Sequence, residues 1–386
     1  MSVVPASEAV EVNLFTYGDS SDINTWSNLP YFFSNSLVAC GVKLNRINLQ
    51  PSSLFYRCYC AVMSQVLRLQ KGKSARPLYL DPFRDKLTHY LVNKKIKRTV
   101  NTHSYARLNI FLTYSFSAHR YTNVPIVHYC DQTYELYVKD TGKTTTTKDM
   151  LFISIERATL SKAKHLFATN SMCADSLSAV YKLENVHWLE GGINLEQMPT
   201  ENVEDTLDVK QSNHRLLFIG KGAHKRGLDI LIEAFIIFNE ANSNKFTLDV
   251  VGVSEKEILE PTDQVVLHGY LDKSNPADLQ KYYDLIRRAR IFIMPMRQGP
   301  PPGVVREASL MYTPIIVSNI WGMGVFVEHN VSGLLIDELD ASEYAAQMQK
   351  LVADEKLWRK ENQHATKHLV NIIVAIIQCN SWISLF

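Results

Sequence analysis

Hydrophobic positions along the chain fall into short apolar runs separated by stretches of helical periodicity. In the first half the runs lie at residues 12–17, 43–49, 110–114, 124–129, 165–169 and 186–189. Between them, residues 29–40, 56–69, 149–164 and 171–181 carry apolar side chains at helical spacing, with Ser171 a plausible N-cap. Strand and helix in alternation predict a mostly parallel sheet, and so an α/β fold.

Residues 196–213 change character. They are acidic, polar and almost without large apolar residues, which predicts a linker. Beyond them the alternation resumes, with strands at 215–219, 246–251, 265–268, 291–294, 315–317 and 334–336. One apolar face recurs at Leu228, Leu231, Ile232, Phe235 and Phe238, another at Ala341, Tyr344, Ala345, Met348 and Leu351. Asn275-Pro276 starts a helix, and Asp340 to Glu343 reads as a capping box. The expected organisation is a first domain over 1–195, a linker over 196–213 and a second domain over 214–365. A helix or tail over 366–386 would pack back on the first domain.

Composition narrows the class. A chain of 386 residues supports two cores. A net charge of +2 provides no global field for nucleic acid. Six cysteines without zinc spacing, Cys58 and Cys60 among them, predict neither a disulfide framework nor a metal centre. The first residues have no basic segment followed by an apolar run, and no stretch is apolar for long enough to span a bilayer. The expectation is a cytoplasmic protein, with a peripheral place at the inner membrane face left open.

Candidate chemistry sits where strands end. Residues 295–318, PMRQGPPPGVVREASLMYTPIIVS, read as strand end, Gly/Pro loop, short helix with Glu307 in its first turn, and buried strand. A glycine-led helix start suits phosphate, and a carboxylate there can accept from sugar hydroxyls. GKGAHKRG, residues 220–227, places Lys221, Lys225 and Arg226 between a strand and a helix, again suited to phosphates. It is neither a Walker A loop nor the dinucleotide fingerprint. In the first half, a loop with Asp19 follows the first strand, and His128 and Asp131 stand in HYCDQTY at the end of another. Each has a plainer reading, as a solvated turn or a structural histidine. The basic segment 84–107, with Lys94, Lys95, Lys97 and Arg98, reads either as a surface for an anionic membrane or phosphorylated acceptor, or as a solvated helix face.

Taken together, the motifs over 214–360 resemble the donor domain of retaining GT-B glycosyltransferases, specifically glycosyltransferase family 4. Gly220, Lys221, Arg226 and Gly227 are similar to the family's strand–G-R–loop–K-G–helix element, and 295–318 to its Glu-x7-Glu block, with Glu307-Ala308 and Pro314 in register. His329 to Leu335 resembles its closing x-G-x-x-G-x-L pattern, and HYCDQTY and the GGIN ending at Asn194 are more weakly similar to its acceptor domain.

The resemblance implies two Rossmann-like domains facing a central cleft, the first binding the acceptor and the second a nucleotide-diphosphate sugar, UDP- or GDP-linked. No cofactor beyond that co-substrate and no metal is implied. Lys221 and Arg226 would hold the diphosphate, with Lys225 a substitute. Gly220 would belong to that loop, and Gly303, Val304 and Val305 would offer backbone contacts. Tyr270 and Leu271 would line the base pocket, Glu307 would bind the ribose, His128 would stand near the reaction centre, and Asp19 and Asp131 would lie on the acceptor side. The partner would be a glycan, lipid-linked or protein hydroxyl.

This chain departs from the family pattern at three points. Gly299 stands where the first motif glutamate would be, the loop reads GPPPG, and Tyr312 replaces the glycine before Pro314. An active transferase is the leading expectation. A GT-B scaffold that binds nucleotide or glycan without turnover is the alternative.

Overall fold

A computed structural model describes residues 10–70, 81–142, 144–189, 192, 195, 203–257 and 263–359. The chain divides into two compact units, Met1–Leu189 and Glu190–Phe386. The tail over 366–386 lies outside the described residues, as does most of GGIN.

The first unit runs β1 (Glu11–Thr16), α1 (Leu29–Ala39), β2 (Lys43–Asn48), α2 (Leu54–Gln70), α3 (Lys86–Thr102), β3 (Leu108–Phe111) and β4 (Ile126–Cys130). It continues with α4 (Tyr134–Asp140), α5 (Thr147–Leu160), β5 (His165–Ala168), α6 (Ser171–Asp175) and β6 (Val186–Trp188). Its sheet has the order β2-β1-β3-β4-β5-β6, parallel throughout. Strands covered on both faces need continuous apolar runs, and β3 and β4 are buried at every position. Val92, Ile96 and Val100 of α3 pack on Phe15 and Phe111, whose rings stack at 4.3 Å. Asn170, rather than Ser171, caps α6, its side chain accepting from the Cys173 amide at 2.9 Å.

The second unit runs α7 (Val203–Ser212), β7 (Arg215–Ile219), α8 (Leu228–Ala241), β8 (Thr247–Val251), β9 (Val265–Gly269), α9 (Pro276–Arg288) and β10 (Ile291–Met294). After it come α10 (Gly303–Leu310), β11 (Ile315–Ser318), β12 (Leu334–Ile336) and α11 (Ala341–Ala353). Its parallel sheet has the order β12-β11-β10-β7-β8-β9, so the strand order reverses between β7 and β10. Asn275 caps α9 ahead of Pro276, and Asp340 caps α11 through the Glu343 amide.

The segment expected as a linker contains α7 instead, and it belongs to the second unit. Leu207 is buried in that unit's core. Lys210 is buried as well, its ammonium donating to Ile286 O at 2.6 Å, Thr313 Oγ1 at 2.8 Å and Ala289 O at 3.4 Å. Those carbonyls lie at the C-terminal end of α9, where helix geometry leaves acceptors unfilled and the dipole favours a cation. Leu207 and Lys210 therefore anchor a helix that hydrophobic patterning misses.

Candidate donor-phosphate site in the second unit

In an open parallel sheet, ligands bind beyond the strand carboxyl ends at the point where the order reverses. Here the loops after β7 and β10 flank that point, and they are joined to each other. Gly227 has φ +73°, and a Cβ on it would sit 1.8 Å from the Pro295 carbonyl oxygen, so only glycine permits the contact. The Arg297 amide donates to Lys225 O at 3.1 Å, and the Arg297 guanidinium donates to His224 O at 2.8 Å. The same guanidinium grips Asp229 of α8 in a two-point pair, at 2.5 and 2.7 Å. Burial works against the Asp229 carboxylate, but Arg297 more than offsets it and holds the group below its ordinary range. Arg226 donates to the Met296 sulfur at 3.1 Å.

Lys221, Lys225 and Arg226 all belong to the β7 loop so held. Lys221 is exposed, and its ammonium lies 4.0 Å from the centre of the Tyr270 ring, just after β9. Gly220 is held against the loop that follows β8: its amide donates to Val251 O at 3.0 Å, and a Cβ on Gly252 would meet Gly220 O at 2.9 Å. Gly299 has φ +92°, and the end of the Lys225 side chain occupies the space 2.9 Å from where its Cβ would be. The lost motif glutamate is thus accompanied by a backbone that favours glycine and by a lysine in the space a side chain would take.

Opposite, α10 begins at Gly303 after Pro302 in extended conformation. The Val305 amide is already used, donating to Pro302 O at 3.2 Å, and the Val304 and Val305 side chains are buried in the core. Gly303 and Val304 are left as the residues whose amides open the helix. Glu307 lies in the second turn, one turn deeper than the sequence suggested. It is buried, and its Oε2 accepts from the Lys273 ammonium at 3.1 Å and from the Tyr282 hydroxyl. Burial and the Glu307 charge push the Tyr282 hydroxyl well above its ordinary range. Lys273 also lies over the Tyr282 ring at 4.0 Å. Glu307 is therefore an already partnered carboxylate. Sequence reasoning named neither Lys273 nor Tyr282, which lie 34 and 25 residues away with nothing to link them beforehand. Of the expected base-pocket pair, Tyr270 is half exposed, whereas Leu271 is buried in the core.

In the first unit the order reverses between β1 and β3. Asp19 is exposed and accepts from the Ser21 amide at 2.8 Å, the geometry of a solvated turn. Asp131 follows β4, and its carbonyl accepts from Asn170 at 2.7 Å. His128 is inside β4 and fully buried, not in a loop past the strand. Its Nδ1 lies 2.7 Å from the Thr113 carbonyl, an acceptor, so the proton sits on Nδ1 and Nε2 is left as an acceptor. Burial pushes the imidazole down to about 4, the Thr113 carbonyl opposing and His119 adding to the shift. His128 is neutral at pH 7 and can accept a hydrogen bond at Nε2 but not donate one there. Nε2 has no partner, nor do Ser20 Oγ, Ser117 Oγ, His119 Nδ1 and Gln132 Nε2, all buried in or beside the same loops.

Among the described residues no group of three or more His, Cys, Asp or Glu could hold a metal ion, and no helix is long and apolar enough to cross a membrane.

The comparisons with known proteins meet this geometry. The family described as glycosyl transferases group 1 matches residues 213–354, which include the loops after β7 and β10, α10 and Glu307. A D-inositol 3-phosphate glycosyltransferase of Catenulispora acidiphila is 25% identical over 217 residues, 52% of this chain and 52% of that protein. The match thus spans about half the length of that curated relative. Among solved structures, sucrose-phosphate synthase from Thermosynechococcus elongatus superposes with a TM-score of 0.71 at 18% identity, covering 97% of this chain and 98% of that one. HepE of Anabaena, solved in complex with UDP and glucose, superposes at 0.62 with 15% identity, covering 97% and 99%. Residues 213–354 match the group 1 glycosyltransferase family, in a chain built from two Rossmann-like α/β units, as in the GT-B fold.

Proposed function

We propose that the protein transfers a sugar from a nucleotide-diphosphate donor to a hydroxyl acceptor, with retention of anomeric configuration and without a metal ion. The observation that carries this reading is the β7 loop at the switch point of the second sheet, which holds Lys221, Lys225 and Arg226 and is joined to the β10 loop that leads into α10. Transfer breaks the bond between the sugar's anomeric carbon and the donor phosphate and leaves negative charge on the diphosphate. Fixed cations and a helix N-terminus stabilise that charge where it develops. The acceptor oxygen forms the new bond, and its proton passes to a phosphate oxygen of the leaving group. Arg226 and Lys221 bind the diphosphate in this scheme, Lys225 reaches it from beside Gly299, and Tyr270 offers its ring to the base. The first unit supplies the acceptor side, with Asp131, Asp19 and the buried His128 Nε2 as its polar groups. The UDP held by HepE makes uridine nucleotides the first to test and GDP the second.

A second reading has its own observation. Glu307 is already held by Lys273 and Tyr282, and Gly299 offers no carboxylate. A scaffold that binds nucleotide without turnover fits those two facts.

Calorimetric titration with UDP, GDP and ADP, with and without magnesium, separates these readings when run beside a Lys221→Ala/Arg226→Ala variant and an assay of nucleotide-sugar turnover. Metal-independent binding that the variant loses, with turnover, supports the transferase. Binding without turnover favours the scaffold. No binding to any of the three overturns the phosphate site and both readings with it.

A further inference from the structure

Helices α2 and α3 of the first unit have an outward surface that the donor chemistry does not use. On α2, Leu54, Phe55, Val62 and Leu69 are each between 60% and 82% exposed. Phe55, Cys58, Val62 and Leu69 are three, four and seven residues apart, which places them on one stripe of the helix, and Cys58 is exposed with them. The adjoining face is anchored inward. The Tyr56 hydroxyl lies 2.6 Å from Thr88 Oγ1, and the Tyr59 hydroxyl donates to Asp85 at 2.7 Å, both at the N-terminal end of α3. A contiguous apolar stripe on a water-facing helix costs solubility unless something covers it.

What could cover it is indicated by charge. Between residues 54 and 102, Lys and Arg outnumber Asp and Glu eleven to two, a net +9 in a chain whose net charge is +2, so the remainder carries −7. Neither α2 nor α3 contains an acidic residue. On α3 the buried positions are Thr88, Val92, Ile96 and Val100, which leaves Lys94, Lys97 and Arg98 exposed together with Tyr90. Tyrosine and long basic side chains suit a boundary that is apolar on one side and anionic on the other. A second copy of this chain would bring the same excess of positive charge against itself, which disfavours self-association on this face.

We propose that the exposed faces of α2 and α3 form a docking surface for an anionic lipid membrane. The apolar stripe enters the acyl boundary while the α3 cations face the headgroups. The surface acts without donor or acceptor, so its test is independent of the transferase reading.

The test is vesicle flotation of the full chain with no nucleotide present. Vesicles of phosphatidylcholine alone are compared with vesicles that also contain phosphatidylglycerol. Two variants accompany it, Phe55→Ser/Val62→Ser and Lys94→Glu/Lys97→Glu, both at exposed positions and checked for fold by circular dichroism. Binding to the anionic vesicles is expected to exceed binding to neutral ones by at least tenfold and to fall at high salt. The charge variant should lose roughly thirtyfold or more, and the apolar variant about tenfold or more. Absence of flotation on anionic vesicles, equal binding to both kinds, or binding that neither variant reduces overturns the proposal. So does a wild-type dimer in sedimentation that Phe55→Ser/Val62→Ser converts to monomer without any lipid binding, because a second copy would then be the occupant.

Discussion

The Lys221 ammonium lies 4.0 Å from the centre of the Tyr270 ring, so a lysine expected to hold the diphosphate rests on a ring expected to line the base pocket. An exposed contact of this kind contributes about 0.5–1 kcal/mol. A charge-assisted hydrogen bond to phosphate contributes about 1.5–3 kcal/mol. The phosphate wins, and Lys221 is expected to leave the ring when a diphosphate binds. Lys221→Ala should weaken binding of a nucleoside diphosphate by about tenfold to a hundredfold. It should leave the corresponding nucleoside almost unaffected, as calorimetry with the two ligands would show.

Lys273→Met should destabilise the second unit. Glu307 would remain buried with the Tyr282 hydroxyl but without its cation. Breaking a buried pair in this way costs about 3–5 kcal/mol, whereas Lys273→Met combined with Glu307→Gln should recover most of that loss. Urea denaturation of the single and double variants measures both.

Gly227→Ala should disrupt the junction of the two phosphate loops. The left-handed backbone alone costs about 1–2 kcal/mol with any side chain, and the Cβ would overlap the Pro295 carbonyl. Nucleotide binding should be lost along with stability, while Gly222→Ala, also at positive φ but only in ordinary contact with Lys225, should pay for backbone strain alone. Paired titration and thermal melts distinguish the two.

Acid should destabilise the first unit through His128. Its folded-state imidazole titrates at about 4, below the ordinary 6.5, because burial disfavours the charged form. Between those values the unfolded chain binds the proton and the folded chain does not. Stability is therefore complete above pH 6.5 and declines as pH falls towards 4, by at most about 3 kcal/mol. His128→Asn should flatten that pH dependence, which urea midpoints taken across pH 4 to 7 would reveal.

Much of the donor half was legible because its signals are local. Glycines and basic residues at strand ends, and the apolar face of α8, lie within a few residues of what they determine. The Tyr312 departure is informative in the same way: it holds φ +54°, the left-handed conformation for which glycine is the usual residue, so the turn before Pro314 persists without it. What escaped depends on distance in sequence. Lys273 and Tyr282 meet Glu307 across tens of residues, and Lys210 of α7 finds its acceptors at Ile286, Ala289 and Thr313. The placement of His128 was misread because the strand runs two residues past it, and a histidine has no pattern of its own to mark the difference.

The joining of the β7 and β10 loops bears on how quickly a ligand could be captured. Gly227 against Pro295, the Arg297 amide on Lys225 and the Arg297–Asp229 pair fix the two loops before any nucleotide arrives. Little chain entropy is then left to surrender on association. The encounter becomes the slow step, its rate is governed by the reach of the lysine charges through the surrounding salt, and residence time is left to the contacts made after arrival.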